Sequence, residues 1–469
     1  MAKLSLREFL SRAEHSNGKI DDSVLQYIVD NPEKILIIFD GLDEFKCRES
    51  CIKDEKDFSG FNDVTDEIPV SALYIKLLQN KLLPGARIIT TTRPNAVDNV
   101  ETLQFDRIVE ILGFNADRIH LHVENICDDL KKATTMWQHI QTNLNLLYLC
   151  YIPATCIIVC DLLEFCLDNN LTLPTTLTEV YKGVLRMFIF EHHPEIEYKI
   201  DRSAHDFASD NFSESVEHSL DKLGLLARNG IEKRRLFFEE KEVKGLEDCG
   251  LLHCMPSKEV MWYGYVARPQ YCFIHLSLQE FLAAREIAKM RPSELNHFIR
   301  KKAKDADWHL VIQFVAGLLK GQDAQVLESK MIFARILLQS MDNPRPNKKV
   351  ALLMIKCLCE LNDELEVEEA ASELIRSNSQ CRIDLSGIDI KPVDCTAIVS
   401  LLKHLGTHLT SLRLFNNSAF GDSGCTELAK LIEEGGGPEE LDIAGCSITH
   451  QDSFPSDCRK GVWEGGKKS

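Results

Sequence analysis

Residues Lys34–Phe45 read KILIIFDGLDEF, an apolar, β-branched run that ends in three carboxylates, Asp40, Asp43 and Glu44. Residues 87–94, RIITTTRP, form a second such run and end in Arg93. Strands of a parallel α/β sheet, covered on both faces, read as continuous apolar runs. Ligands of such sheets sit beyond the carboxyl ends of the strands. Acids after one strand and a base after its neighbour describe one wall of a Mg-nucleotide pocket. Taken singly each is ordinary: acids after a strand are common turn residues, and Arg93 reads as a surface arginine in a Thr-rich turn. Together they point to phosphate chemistry. Asp40 would hold Mg through water, because a hard cation takes oxygen ligands. Asp43 or Glu44 would orient or deprotonate an attacking water, and Arg93 would pair with terminal phosphate oxygens. Gly41 lets the chain turn away at once, and Thr90, Thr91 and Thr92 read as strand formers rather than ligands.

The rest of that region is consistent with a strand–helix–strand crossover. A helix is expected over Val70–Leu83, stopped by Pro84-Gly85 before a strand over 87–92. The charged, turn-rich stretch Lys46–Glu67 reads as a surface excursion. Upstream of Lys34, a nucleotide pocket would call for a phosphate-cradling loop, G-x-x-x-x-G-K-[ST], opening a helix after a strand. The stretch before Lys34 holds only an isolated Gly18-Lys19. A literal Gly461–Lys467 match near the end follows no strand, lacks the Ser/Thr and reads as coincidence.

A length of 469 residues exceeds what one core supports, so three or more domains are expected. Apolar and charged fractions of 44% and 27% are those of a folded soluble protein. The net charge of −18 opposes polyanion binding, which rests on Lys and Arg neutralising phosphates. MAKLSLREFLSRAEH carries charge throughout and has no apolar signal core. The most apolar stretch, Leu144–Cys160, is shorter than the ~20 residues of a spanning helix and contains Pro153. The 17 cysteines include no C-x-x-C pair, so reduced thiols acting as small hydrophobes in a cytosolic compartment are expected, without metal.

From Asn115 to about Cys166 the pattern is helical, interrupted at Pro153. Helices Leu177–Glu191 and Phe212–Asn229, then strands Gly250–Met255 and Trp262–His275 around the loop Pro256–Val260, suggest a winged helix. His275 precedes Ser277-Leu-Gln-Glu280, which reads as a capping box opening a helix over Leu278–Lys289. That makes His275 a structural residue on its own context, although a helix N-terminus also favours phosphate. Residues 293–378 return to helices, over Trp308–Leu319, Lys330–Met341, Lys349–Leu361 and Val367–Arg376. Three segments then superpose at one fixed step: Ile383-x-Leu385-x-x-Ile388, Leu412-x-Leu414-x-x-Asn417 and Leu441-x-Ile443-x-x-Cys446. Leu402 and Gly406 map by the same step to Leu431 and Gly435. That is the leucine-rich repeat pattern, a strand and a helix per unit. The tail beyond Gln451 carries no fourth copy and is expected to be unstructured.

The runs IIFDGLDEF and TTTRP, together with EILGFNADRI, LCYIPATCIIVC and FIHLSLQEFLAA, resemble the NACHT nucleotide-binding module of NOD-like receptors, and the likeness extends into the repeats. The resemblance implies a multidomain α/β plus α fold: a partial P-loop-type parallel sheet (1–114), a first helical domain (115–172), a winged helix (173–290), a second helical domain (291–378), a leucine-rich repeat solenoid (379–455) and a disordered tail (456–469). It also implies a cytoplasmic, ATP- and ADP-dependent signalling switch of innate immunity, closed with ADP and oligomeric with ATP. Asp40 is then the Mg-binding Walker B acid, Asp43 and Glu44 the hydrolytic acids, and Arg93 the first sensor. Pro153 packs near the adenine and His275 reaches the ADP β-phosphate. The partners implied are adenine nucleotide, other copies or relatives, and a protein or microbial ligand at the repeats, with neither nucleic acid nor a membrane span. Without its phosphate-binding loop the chain is expected to be N-terminally incomplete and a weak nucleotide binder. The alternative is a truncated, non-catalytic regulatory protein acting through its helical and repeat surfaces. A winged-helix nucleic-acid binder is disfavoured by the acidic balance.

Overall fold

A computed structural model describes residues 3–11, 20–42, 60–92, 105–109, 111, 113–192, 212–246, 249–255, 270–319, 323–341, 347–361, 364–377, 382–405, 408–433, 437–448 and 462–464. Its contacts divide it into two compact units, residues 1–111 and 112–469.

The first unit holds β1 (Lys3–Leu4), α1 (Leu6–Ser11), α2 (Asp22–Asp30), β2 (Leu36–Phe39), β3 (Ile68–Pro69), α3 (Val70–Leu78) and β4 (Arg87–Thr90). β2 and β4 pair in parallel with Leu36 opposite Arg87 and Phe39 opposite Thr90, and β1 pairs antiparallel with β3. Ile37 turns into a core formed with Leu6, Ile68, Leu73, Leu77, Leu82 and Leu83. Because strand side chains alternate, Leu36 and Ile38 point the other way, and Ile38 is 61% exposed. The apolar runs predict cover on both faces; the described residues cover one face of this pair. The expected helix over 70–83 ends at Leu78, because Asn80 and Leu83 take φ of +54° and +49°. A left-handed backbone cannot continue the helical ladder, yet the turn it makes still buries Leu82 and Leu83.

The second unit begins with α4 (Ala116–Ile126), α5 (Leu130–Thr142), α6 (Leu144–Cys150) and α7 (Pro153–Asp168). Pro153 starts α7 rather than interrupting a helix: it occupies the first turn, where its missing N–H costs no hydrogen bond. There follow α8 (Leu177–His192), α9 (Glu214–Glu232), β5 (Phe238–Glu239), α10 (Glu240–Val243), β6 (Leu252–Met255), β7 (Gln270–Phe273) and α11 (Leu276–Ile287). The strands form an antiparallel sheet in the order β5-β7-β6, with Leu252 opposite Phe273. β5, two residues long, has no signature in the sequence; the expected loop Pro256–Val260 lies outside the described residues. α9 packs along α11 at Gly224, where an added Cβ would stand 3.0 Å from the Leu282 carbonyl oxygen and 3.2 Å from Glu286 Cβ.

Five helices continue the unit: α12 (Pro292–Lys302), α13 (His309–Leu318), α14 (Ala324–Met341), α15 (Lys348–Glu360) and α16 (Glu364–Ser377). Then come β8 (Arg382–Asp384), α17 (Pro392–Leu405), β9 (Ser411–Arg413), α18 (Gly421–Glu433), β10 (Glu440–Asp442) and β11 (Val462–Glu464). β8, β9 and β10 are parallel, and Ile383, Leu412 and Leu441 lie side by side across them. The constant step in the sequence thus becomes one strand of lateral translation. Asn417, fully buried, ties neighbouring units together. Its Oδ1 accepts from the N–H groups of Ile388 and Ile390, and its Nδ2 donates to the carbonyls of Leu385 and Leu414. Against the expectation of a structureless tail, β11 pairs antiparallel with β10, Glu440 opposite Glu464. An edge strand presents unpaired backbone groups to any extended segment within reach, and β11 adds itself at the outer edge of the parallel strands, on β10.

Candidate functional site

In the first unit the site begins where β2 and β4 end. The ladder carries one step past the strands, with Thr91 N–H donating to the Phe39 carbonyl at 2.9 Å and Leu42 N–H to the Thr91 carbonyl at 2.9 Å. Between them Gly41 takes φ of +72°, a left-handed turn that glycine makes without steric cost. Asp40 is therefore delivered at the carboxyl end of the sheet. Its Oδ1 accepts from Thr91 Oγ1 at 2.5 Å, and Thr91 Oγ1 accepts in turn from Gly41 N–H at 2.9 Å. Thr91 orients the carboxylate, a role that reading it as a strand former misses. Thr90 stays in the strand and shares a 3.1 Å hydrogen bond with the hydroxyl of Tyr74, whose ring stacks edge-on against Phe39. The Thr92 hydroxyl is buried without a hydrogen-bond partner among the described residues. Asp43, Glu44 and Arg93 lie outside the described residues.

Asp40 Oδ2 meets no donor among the described residues, so one carboxylate oxygen is oriented and the other is open to a cation or its water. No group of three or more His, Cys, Asp or Glu among the described residues could hold a metal ion. Asp40 therefore fits Mg arriving with a nucleotide, which supplies most of its oxygen ligands as phosphate and water. When bound, Mg would neutralise phosphate charge.

The second unit carries the other two candidates. Pro153 is exposed at the first turn of α7. The Tyr151 carbonyl just ahead of it accepts from Phe114 N–H at 2.8 Å, and Gly113 packs so closely that an added Cβ would stand 2.0 Å from that oxygen. Gly113 also has φ of +82°, so two independent constraints exclude a larger residue there.

His275 is the N-cap of α11. The sequence pattern predicts Ser277 as the cap of a helix starting at Leu278; instead the helix starts at Leu276. The His275 imidazole Nδ1 accepts from Ser277 N–H at 3.2 Å, and the His275 carbonyl accepts from the N–H groups of Leu278 and Gln279. The imidazole thus does the work assigned to the serine hydroxyl, satisfying one of the helix's orphan donors. The hydroxyl is engaged otherwise: Tyr181 O–H donates to Ser277 Oγ at 2.6 Å, and Ser277 Oγ lies in short contact with His275 Nδ1. With Nδ1 an acceptor from the backbone, a neutral imidazole carries its proton on Nε2. Tyr181, Ser277 and His275 thus form a chain that fixes the imidazole at a helix N-terminus, where the dipole favours an anion.

Among the described residues no helix is long and apolar enough to cross a membrane. The cysteines are free thiols among the described residues, most of them buried.

Residues 1–129 match the NACHT domain family. The chain is 29% identical over 300 residues to Protein NLRC5 of Ictalurus punctatus, covering 60% of this chain and 16% of that protein. It is 25% identical over 442 residues to the NACHT, LRR and PYD domains-containing protein 1 homolog of Danio rerio, covering 86% and 30%. It is 32% identical over 273 residues to the NLR family CARD domain-containing protein 3 of Homo sapiens, covering 54% and 24%. The chain thus spans less than a third of the length of each of these relatives.

Proposed function

We propose, on the premise that this chain is a NACHT-bearing member of the NOD-like receptors, that it belongs to an adenine-nucleotide-dependent signalling switch of innate immunity. ADP holds a closed form and exchange for ATP permits assembly. The observation that carries the proposal is the Asp40 carboxylate, fixed by Thr91 at the carboxyl end of the parallel pair β2 and β4. In this reading Asp40 orients Mg-bound water and phosphate, Asp43 and Glu44 position the attacking water, and Arg93 answers to the γ-phosphate. Pro153 borders the adenine. His275 donates its Nε2 proton to the β-phosphate, and a hydrogen bond to a charged group of ~1.5–3 kcal/mol shifts a closed-to-open ratio roughly tenfold to a hundredfold.

The sheet β5-β7-β6 with α8, α9 and α11 supports a winged-helix domain over 173–290. Helices α4–α7 support a first helical domain and α12–α16 a second. The units of β8, β9 and β10, related by one constant step, support leucine-rich repeats that would present a surface to a protein or microbial ligand. A cytoplasmic setting and self-association belong to the same proposal.

The experiment is to express the chain behind an upstream segment carrying G-x-x-x-x-G-K-[ST] and to quantify the nucleotide released on denaturation. The reading expects bound ADP, and Mg-dependent hydrolysis that Asp40→Asn abolishes. Purification of that protein free of nucleotide, with no ATP affinity, would overturn it and leave a receptor relative that acts through its surfaces alone.

A further inference from the structure

Between α9 and α12 the surface opens into a cleft of about 630 Å³, whose lining includes Leu225, Arg228, Met290, His297, Phe298 and Lys301. None of its lining residues is among those assigned to the nucleotide above.

Its charges do not cancel. The two acids of the lining are Glu232 and Glu294. Glu232 is held by Lys302 at 2.6 Å, and Glu294 is paired with Arg291. Each acid is thus balanced by its own partner. Arg228, His297 and Lys301 have no ion-pair or hydrogen-bond partner among the described residues. The Arg228 guanidinium stands 5.8 Å from the centroid of the Phe298 ring. His297 and Lys301 line the same cleft, four residues apart on one face of α12. Two fixed positive charges and an imidazole therefore converge over a floor of Leu225, Met290 and Phe298, with Leu225 47% exposed. In a chain of net charge −18 this local surplus is not a general property of the surface.

The ligand class follows from matching. A carboxylate balances one of the two fixed charges. A phosphate monoester carries about −1.5 to −2 at neutral pH and balances both, and its three oxygens can take the guanidinium fork and the ammonium together. An apolar floor gives inorganic phosphate nothing to cover, whereas a cleft of this size suits a small organic molecule. The geometry points to this cleft as a second ligand site, one that takes a phosphate monoester borne on an aromatic or acyl body. Two sources share that chemistry, a soluble aryl or alkyl phosphate and a phosphatidic-acid headgroup.

Calorimetric titration of the chain with phenyl phosphate, benzoate and inorganic phosphate, beside co-sedimentation with phosphatidylcholine vesicles with and without phosphatidic acid, tests it. Phenyl phosphate should bind roughly tenfold more tightly than either control, a gap the second charge and the apolar floor can supply. Lys301→Gln should lower that affinity by about fivefold or more, and Leu225→Ser should weaken phenyl phosphate while leaving inorganic phosphate unchanged. Lys301 is on the surface of α12, so the variant should keep its fold; His297→Gln is the second probe, and unchanged circular dichroism is the control. Sedimentation that depends on phosphatidic acid and is lost in Lys301→Gln would assign the lipid source; saturable phenyl phosphate binding without it would assign the soluble one. Absence of both, or binding indifferent to Lys301→Gln and His297→Gln, overturns the proposal.

Discussion

Thr91 Oγ1 donates to Asp40 Oδ1 at 2.5 Å while accepting from Gly41 N–H, so the hydroxyl that follows β4 sets the rotamer of the acid that follows β2. Two strands distant in sequence are joined at the atoms that matter for cation binding.

Thr91→Val keeps the shape and removes both bonds. In the chain extended with a phosphate-binding loop, Mg-ATP affinity should fall several-fold while ADP binding without Mg is unchanged, as measured by fluorescent-nucleotide titration at two Mg concentrations. Because the pair lies at the surface, the stability change should stay below ~1 kcal/mol. Equal loss of both nucleotides would make Thr91 a structural residue.

Residues 1–469 alone should show ATP turnover no higher than their own Asp40→Asn variant. The backbone donors and lysine that hold β- and γ-phosphates are not in this sequence. Turnover clearly above that variant would contradict the assignment of Asp40 as dependent on such a loop.

Glu360, at the end of α15, is 5% exposed and accepts from the N–H groups of Leu177 and Thr178, from Thr178 Oγ1 and from Gln313 Nε2. Burial raises its carboxyl above the ordinary value, against the pull of those donors. Such a group binds more protons folded than unfolded, so its contribution to stability is greatest below the ordinary carboxylate range and declines as pH rises through the raised value. Thermal unfolding of wild type and Glu360→Gln, followed upward from the ordinary carboxylate range, should show the difference moving against wild type as pH rises. A difference moving the other way would mean that the donors outweigh burial.

Asn417→Ala should lower the melting temperature by several degrees. The N–H groups of Ile388 and Ile390 and the Leu385 carbonyl lose this partner at a buried site, each at about 1–3 kcal/mol, while the Leu414 carbonyl still accepts from Cys446 Sγ. No appreciable shift in a circular-dichroism melt would show that the repeats close over the gap.

What is legible in the sequence is what repeats or alternates. Ile383, Leu412 and Leu441 align in the structure because a one-residue slip would turn every unit inside out. The β2 and β4 runs are legible from their β-branched content. Other features have no local signal. β5 and β11 are too short to carry a period, and each exists only as an addition to an existing edge. Ser277 and Glu280 fit a capping pattern, yet the imidazole of His275 reaches the orphan N–H first and Tyr181, 96 residues upstream, engages the serine. Glu360 caps the first turn of α8 from 182 residues away, a contact set by tertiary packing alone. Of the site, Asp40 is readable from its place after a strand, while Thr91 is hidden inside a run of three threonines that all look like strand.

The cap changes how His275 must be tested. His275→Ala removes the phosphate donor and the N-cap together, and a lost cap alone costs ~0.5–2 kcal/mol. His275→Asn keeps an N-cap acceptor and removes the imidazole. The most direct measurement is therefore native mass spectrometry of the loop-extended receptor, wild type and His275→Asn, reading nucleotide content and oligomeric state together. The account predicts an ADP-loaded monomer for wild type, and loss of ADP with ligand-independent assembly for the variant. A variant that stays monomeric and ADP-loaded would contradict it.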